Sequence, residues 1–321
     1  MPPPDGGLAE EVSGESRAMA STVTVRALAS GDRPAVERAV ARALAVFDQV
    51  EASCTRFVPT SGLMRANAEP DRWHEVPFRC YCALEEAYRA YRLTKGRFDP
   101  RILADLSRMG YDHSLPFGAG PVATGGASPR PRQPLPPWKP RFDPARQAVL
   151  LGGHGVDLGG IGKGLAVRWA SQRLRDAAVD HLVEAGGDCY CAGRSPEGGA
   201  WRVGVEDPFG GSSPVAVLEL TDRACATSSI RLRHWEAAGT PVHHLVDPRT
   251  GLPGGSGLRA VTVIDDDPAV AEVWSKTLFL EGLPAVGRFA DRLGLAALWI
   301  SDGGALGISA AMAGYLTWRA A

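Results

Sequence analysis

The chain has 321 residues, of which 45% are hydrophobic and 22% charged, and this balance is typical of a globular protein with a sizeable core. The formal net charge of −1 excludes a general electrostatic attraction to nucleic acid or to anionic membranes. No apolar run approaches the ~20 residues of a membrane span, and the N-terminus has neither a signal-peptide pattern nor a lipobox cysteine. We therefore expect a soluble, cytoplasmic protein.

Residues 1–16 are rich in Pro, Gly and Glu and are predicted to form a disordered tail. Alternating β-branched residues predict a strand over 22–28, and apolar residues at helical spacing predict a helix over 34–56. A second helix is predicted over 80–95, where Gly96 supplies a C-terminal stop.

Residues 115–145 contain many Pro and Gly and few residues suited to packing, which predicts a long surface excursion. A domain linker is the alternative interpretation. The motifs described below lie on both sides of this segment, as parts of one site would. One domain spanning residues 17–321 is therefore predicted.

The second half of the chain mixes short strands with helices. It lacks the even βαβ alternation of a doubly wound sheet, so we predict an α+β fold with mixed or antiparallel sheets. The predicted helices are 164–178, 268–282 and 284–293, and the predicted strands are 148–151, 181–184, 201–206, 215–220, 259–264 and 296–301.

Six cysteines are present, and four of them form two C-x-C pairs, Cys80 with Cys82 and Cys189 with Cys191. In a chain of this length a disulfide scaffold is not expected, and reduced thiols are the better interpretation. On a strand, the C-x-C spacing places both side chains on one face. We favour buried apolar thiols over a zinc site.

The strongest local motif is DLGGIGKG, which runs from Asp157 to Gly164 and leads into a predicted helix. Its glycines allow backbone N–H groups to approach a ligand, the helix N-terminus favours negative charge, and Lys163 adds a cation. The segment matches neither a Walker A loop nor a Rossmann fingerprint. A phosphate- or pyrophosphate-binding turn is predicted, with a tight strand-to-helix connection as the alternative.

Three further segments carry polar residues suited to a site. Asp188 ends the segment EAGGD, where it orients a ligand or a loop or caps a turn. The segment ATSS at 226–229 is followed by HHLVDPRTG at 243–251, and histidine is a usable acid or base near neutral pH. Adjacent strand residues point to opposite faces, so at most one of His243 and His244 is expected to meet a ligand. Asp247 also suits a structural turn.

Glu272 and Lys276 lie four residues apart on a predicted helix and therefore share one face. Without further context, this spacing indicates a solvated ion pair that contributes ~0.3–0.5 kcal/mol.

Taken in order, these segments resemble the ApbE family of FAD:protein FMN transferases from about Arg17 to Ala305. Six motifs in order over roughly 250 residues are specific. AMAST at 18–22 resembles A-M-G-T, TRF at 55–57 with Asn67 resembles S-R-F followed by N, and GRFDP at 96–100 resembles G-A-F-D-P. Residues 157–164 resemble D-L-G-G-I-A-K-G, residues 184–188 resemble N-A-G-G-D, and residues 226–228 with 244–251 resemble A-T-S-G and H-I-I-D-P-R-T-G.

The resemblance implies a T-fold-like α+β unit whose two halves enclose a flavin cleft. It implies that FAD binds there and that, with Mg²⁺, FMN moves to a Thr or Ser hydroxyl of a target protein while AMP is released. The implied catalytic residues are His244, Asp247 and Lys276. The implied FAD-binding residues are Met19, Phe57, Asn67, Arg97, Phe98, Asp99, Asp157, Gly159, Gly160, Lys163, Gly187, Asp188, Thr227 and Ser228.

The chain departs from the family at the metal-binding helix, where the family pattern has Asp and Thr four residues apart. Here the matching residues are Glu272 and Lys276, and Gly162 replaces the Ala whose carbonyl also binds the ion. The Gly162 carbonyl and Glu272 keep oxygen atoms suited to Mg²⁺, but an ammonium group has no lone pair. Our hypothesis is that Lys276, tethered to Glu272, occupies the metal position and contacts the phosphates.

We favour an FMN transferase on these grounds. The alternatives are a non-catalytic FAD-binding relative, an FAD hydrolase that produces FMN and AMP, and a flavin-free interaction protein that keeps only the fold.

Overall fold

The computed structural model describes residues 10–114 and 123–320 of the chain. Within these ranges, seven α-helices form: α1 (Arg33–Cys54), α2 (Gly62–Ala68), α3 (Phe78–Leu93), α4 (Leu103–Arg108), α5 (Gly162–Leu174), α6 (Pro268–Leu280) and α7 (Val286–Leu293). The strands are β1 (Glu10–Ala18), β2 (Ser21–Ala29), β3 (His74–Glu75), β4 (Ala123–Thr124), β5 (Arg141–Asp143), β6 (Ala148–Leu150), β7 (His181–Ala185), β8 (Asp188–Ala192), β9 (Trp201–Val205), β10 (Ala216–Leu220), β11 (Arg223–Ser229), β12 (His234–Ala237), β13 (Thr240–His243), β14 (Val246–Asp247), β15 (Leu252–Pro253), β16 (Leu258–Asp265), β17 (Ala296–Ser301), β18 (Leu306–Ile308) and β19 (Leu316–Arg319).

Side-chain caps and prolines mark where helices α1 and α6 begin. The Asp32 side chain accepts a hydrogen bond from the Ala35 N–H at the start of α1. Asp267 does the same for two N–H groups of α6, directly before Pro268. Such caps satisfy donors that the first helical turn leaves unpaired. The predicted helices over 34–56 and 268–282 therefore agree with α1 and α6 to within two residues at each end.

The main sheet has eight strands in the order β1-β2-β7-β8-β11-β16-β17-β18, and every neighbouring pair is antiparallel. Smaller sheets have the orders β19-β10-β9, β13-β12-β4, β14-β15 and β3-β6-β5. The pair β12 and β4 is parallel. The predicted α+β fold with mixed and antiparallel sheets is confirmed.

The central strands bury both faces, and their residues alternate between two cores. Cys189 and Cys191 of β8 and Cys225 of β11 face the core shared with the three-stranded sheet β19-β10-β9. Ala224 and Ala226 of β11 pack instead against Ala271 of α6. This is the two-residue period of a strand. It places α6, α5 and α1 on one face of the sheet, where they border the site described below.

Two expectations for irregular segments were wrong. The proposed disordered tail ends too late, because residues 10–16 belong to β1 and pair with β2 from Glu10↔Ala29 onward; residues 1–9 lie outside the described residues. In the excursion at 115–145, residues 115–122 are also outside the described residues. The described remainder is not confined to the surface, because Trp138 is 2% exposed and belongs to the largest core cluster.

Trp138 holds this segment to the body of the protein. Its indole N–H donates to the Leu151 carbonyl at 2.8 Å, and the Tyr91 hydroxyl accepts a hydrogen bond from its backbone N–H at 3.0 Å. Its ring also meets those of Tyr88 and Tyr91 edge-on. A tryptophan buried in this way contributes both apolar burial and a satisfied polar tip.

The described residues contain no helix long and apolar enough to cross a membrane. All six cysteines are free thiols, and five of them are buried, as the sequence predicts.

Trp138→Ala is expected to lower the free energy of unfolding by about 3–5 kcal/mol, because it empties a buried site and leaves the Leu151 carbonyl without its donor. Urea unfolding measures the change. Trp73→Ala is the matched control, since Trp73 is 38% exposed and its removal leaves no enclosed void. Equal effects of the two substitutions would contradict the assignment of Trp138 to the core.

Candidate active site

A cavity of about 340 Å³ lies where the predicted motifs converge. It is lined by the turn after β1, the segment after α1, the loop before α4, the glycine-rich turn before α5, residues 244–246 and 248, and one face of α6. These segments are far apart in the chain, and only the fold brings them together. The motifs that contain these segments therefore meet at one cavity.

The predicted site residues divide into two groups by position. The residues that line the cavity are Met19, Phe57, Arg97, Phe98, Asp99, Asp157, Gly159, Gly160, Gly162, Lys163, His244 and Lys276. The residues that do not line it are Asn67, Gly187, Asp188, Thr227, Ser228, Asp247 and Glu272.

Met19 reaches the cavity from a strained turn. Met19 and Ala20 join β1 to β2 with φ angles of 52° and 56°, in the left-handed region that residues with a Cβ rarely adopt. Met19 Cε lies 3.2 Å from the place that a Cβ on Gly162 would take. Strain of this kind persists where the surrounding structure holds it, and it is common at functional sites.

Phe98 and Lys276 pack closely against Gly160 of the glycine-rich turn. A Cβ on Gly160 would lie 2.9 Å from Phe98 Cε2 and 3.4 Å from Lys276 Cδ. A side chain there would displace the Phe98 ring and would be in contact with the Lys276 stem. The absence of a Cβ thus brings the turn, the aromatic ring of Phe98 and the Lys276 stem together at one point.

The two aspartates of the lining are each bound by a buried arginine. Arg101 contacts both carboxylate oxygens of Asp99, at 3.0 and 2.7 Å. Arg56 Nε lies 2.8 Å from Asp157 Oδ2, and the Gly159 N–H donates to Asp157 Oδ1 at 2.8 Å. Bidentate and charge-assisted bonds of this kind fix geometry. Asp157 therefore shapes the glycine-rich turn as well as lining the cavity.

Asn67 supports the same turn from behind. Its amide N–H donates to the Val156 carbonyl at 2.9 Å, and its carbonyl accepts the Val156 N–H at 2.8 Å. Val156 is fully buried, and both of its backbone polar groups are satisfied in this way. The two hydrogen bonds to Val156 explain how Asn67 contributes to the site although it does not line the cavity.

The two lysines of the lining each have a buried acid behind them. Lys163 forms an ion pair with Asp188, which is 1% exposed. Lys276 Nζ donates to Glu272 Oε1 at 3.0 Å, and the Gly164 N–H donates to Glu272 Oε2 at 2.8 Å. Burial by itself would raise the pKa of Glu272, but the charges of the two lysines and the Gly164 N–H outweigh burial and hold that pKa below its ordinary value.

His244 is held neutral beside these cations. Burial is the largest cause, and the charges of Arg233 and Lys276 add to it, so the pKa of His244 lies well below 6.5. Its Nδ1 lies 3.2 Å from the Arg233 carbonyl, which only accepts hydrogen bonds. The proton of the neutral ring therefore resides on Nδ1, and Nε2 keeps its lone pair. His243 does not line the cavity: its ring lies edge-on to Phe279.

Three more of the predicted residues act as supports. Thr227 Oγ1 lies 2.9 Å from Thr262 Oγ1, and Ser228 Oγ lies 2.7 Å from Ser275 Oγ. Because successive strand residues face opposite sides, these two hydroxyls support opposite faces of β11. Asp247 is bound by Arg249, at 2.9 and 2.8 Å.

Sequence reasoning missed two cations of the lining. Arg56 lies over the rings of Phe57 and Tyr111, 4.3 and 4.1 Å from their centroids. Arg233 also lines the cavity, from the segment between β11 and β12. The TRF motif contains Arg56 and was a usable signal for it. No local motif marks Arg233, whose place depends on the path of the chain after β11.

The residues at the implied magnesium position do not fit that ion. Lys276 offers no lone pair, and its charge lies 3.0 Å from the one carboxylate of the expected ligand set. Within residues 10–114 and 123–320, no group of three or more His, Cys, Asp or Glu side chains could hold a metal ion. Gly162 lines the cavity, but Glu272 is fully buried behind Lys276.

The fold and the cavity define an α+β protein with a cationic, partly aromatic ligand site. The chain matches the ApbE family over residues 19–299, and it belongs to that family. It is similar in structure to the ApbE protein of Thermotoga maritima, with a TM-score of 0.81 at 23% identity over 96% of this chain and 100% of that one. The apo flavinyl transferase ApbE of Pseudomonas stutzeri gives a TM-score of 0.76 at 22% identity, over 98% and 100% of the two chains.

Two proteins that are similar to this chain in sequence have the same name. The chain is 30% identical over 182 residues to the FAD:protein FMN transferase of Klebsiella pneumoniae (strain 342), which is 55% of this chain and 54% of that protein. It is 26% identical over 301 residues to the Haemophilus influenzae enzyme of the same name, covering 89% and 85% of the two. The match thus spans about half the length of the former relative and most of the latter.

Asn67→Ala is expected to lower the free energy of unfolding by about 1–3 kcal/mol, because it leaves the buried Val156 N–H and carbonyl unpaired. Chemical denaturation measures this loss. Gln49→Ala, on the exposed side of α1, removes a similar amide and is expected to change stability little. If both variants unfold at the same denaturant concentration as the unmodified protein, Asn67 does not support the turn.

Proposed function

We propose that this protein is an FAD:protein FMN transferase. It would bind FAD in the cavity, transfer FMN to a Thr or Ser hydroxyl of a target protein and release AMP. Membership of the ApbE family and the shared name of the relatives support this proposal. The structural match covers nearly the whole chain, so the chain has the same fold as proteins described as flavin transferases.

The observation that carries the proposal is the pairing of a neutral histidine with a cationic wall. Lys163, Lys276 and Arg233 line the same cavity as His244. The positive N-terminus of α5 adds to their field. A site of this kind attracts a pyrophosphate and still offers an unprotonated base, which a site that only stored an anion would not need.

The aromatic residues of the lining suit the flavin ring. Phe57 and Tyr111 have their ring centroids 5.6 Å apart, and Phe98 lies against Gly160. Aromatic side chains bury large apolar areas and stack on planar rings. We assign Met19, Phe57, Phe98 and Asp99 to the flavin and adenosine contacts, and Gly159, Gly160 and Lys163 to the pyrophosphate.

The proposed reaction is a phosphoryl transfer in which His244 accepts a proton. The acceptor hydroxyl oxygen attacks the flavin-side phosphorus as its proton passes to His244 Nε2. The bond from that phosphorus to the bridging oxygen breaks, and AMP leaves with the bonding electrons. Lys163, Lys276 and Arg233 would stabilise the charge on the phosphate oxygens. No step in this scheme depends on a bound metal.

The site residues that do not line the cavity have positioning roles in this proposal. The binding turns would be held by hydrogen bonds to backbone and neighbouring side chains. The residues that form these bonds are Asn67, Gly187, Asp188, Thr227 and Ser228. Asp247 would hold the turn after His244 and Arg97 one rim of the cavity, where it is bound to Glu281 at 3.0 Å. The cytoplasmic location stays a prediction, to which the six free thiols lend support.

His244→Ala is expected to reduce FMN transfer by about 10²–10⁴-fold, the usual contribution of a general base. The assay incubates the protein with FAD and a Thr-bearing acceptor domain and measures in-gel flavin fluorescence. His234→Ala is the control, because His234 is exposed and does not line the cavity. Wild-type release of AMP without labelled acceptor would indicate a hydrolase instead, and FAD binding without either product a non-catalytic relative.

Transfer by the wild-type protein is expected to be independent of pH from about pH 8 down to 6.5, because His244 stays neutral throughout that range. Activity should fall only at lower pH, as the depressed pKa is reached and the base is protonated. A profile of kcat/KM against pH measures this. A half-maximal rate at pH 6.5 or above would contradict the assignment of a depressed pKa to the base.

A further inference from the structure

The Lys276 side chain lies where a cation would face the substrate. It lines the cavity, and the side chain is 15% exposed. Its Cδ and Cε atoms lie 3.4 and 3.6 Å from the position that a Cβ on Gly160 would take. Within the described part of the chain, its ammonium group donates one hydrogen bond, to Glu272 Oε1. An ammonium has three N–H donors, so two remain for oxygen atoms of a ligand.

Glu272 holds this ammonium in one place. The carboxylate is fully buried, and its other oxygen accepts the Gly164 N–H at the start of α5. An exposed ion pair at this spacing would be mobile and screened by solvent. Here the acid is fixed at both oxygens, so the lysine is tethered to the same helix start that carries the glycine-rich turn.

The charges form two layers. Asp188 and Glu272 lie behind the lining and are 1% and 0% exposed, whereas Lys163 and Lys276 stand in front of them. The two acids balance the two lysines in number, yet the cavity meets the positive side of each pair. A divalent cation added at this surface would be repelled by Lys276 and would find Glu272 already occupied.

We propose that the Lys276 ammonium, tethered by Glu272, is a built-in replacement for a divalent cation and binds the pyrophosphate of FAD directly. This inference rests on the proposed function and adds that FAD affinity is independent of divalent cations. Lys276 is then a substrate-contacting residue, and Glu272 is the residue that positions it.

Equilibrium binding of FAD tests the idea apart from catalysis. The wild-type protein is titrated with FAD in excess EDTA and again in saturating MgCl₂, with flavin fluorescence as the readout. The expected result is the same Kd in both buffers. FAD binding that requires MgCl₂ would overturn this inference and leave the transferase proposal intact. No FAD binding in either buffer would overturn both.

Two variants test the residue itself. Lys276→Met is expected to weaken FAD binding by about tenfold or more, the loss of a charge-assisted hydrogen bond. It should leave riboflavin binding unchanged, because riboflavin has no phosphate. Lys139→Met, which removes an exposed lysine, is the control. Equal weakening of riboflavin and FAD would mean that Lys276 only supports the fold, and it would overturn the proposal.

The double variant Glu272→Asp with Lys276→Thr restores oxygen ligands at the position. It is expected to bind FAD more tightly in MgCl₂ than in EDTA, in contrast to the wild-type protein. Thermal unfolding of each variant shows that it is folded at the assay temperature. An identical Kd in the two buffers for this folded variant would contradict the replacement of a cation by Lys276.

Discussion

The carboxylate of Glu272 is the constraint on which the site depends. A carboxylate removed from water remains ionised only when its oxygens are paired, and a buried acid that loses one partner is strongly destabilising. Glu272 is fully buried and is paired with the Gly164 N–H and with Lys276. Because one partner starts α5 and the other belongs to α6, the pairing fixes the glycine-rich turn against the helix that carries Lys276.

The same arrangement recurs around the cavity. Asp188 lies behind Lys163, and Asp157 and Asp99 are bound by Arg56 and Arg101. Each acid orients a cation or a turn, so the negative charges are neutralised within the protein. The remaining positive surface suits an anionic ligand, and its charges add to burial, which is the larger cause, in keeping the His244 imidazole neutral. The positive charges that suit an anion thus also help to keep the base unprotonated.

The pleat of the central sheet directs neighbouring motif residues to opposite faces. In β11, Ser228 faces Ser275 of α6, whereas Thr227 faces the opposite side and meets Thr262. Residues that share a sequence motif are therefore divided between two faces by the pleat. The supporting residues act through backbone turns, as Asn67 does through Val156.

Hydrophobic periodicity, glycine turns and polar motifs are local signals, and they were enough to predict the fold class, the main helices and strands, and twelve of the residues that line the cavity. The sequence also identified Lys276 and Glu272 as a departure from the family. It could not place Trp138 in the core or residues 10–16 in a strand, since both depend on partners distant in the chain. The place of Arg233 in the cavity, the burial of Glu272 between two helices and the neutrality of His244 follow from the folded chain alone, because burial and the charges of non-local neighbours set these properties.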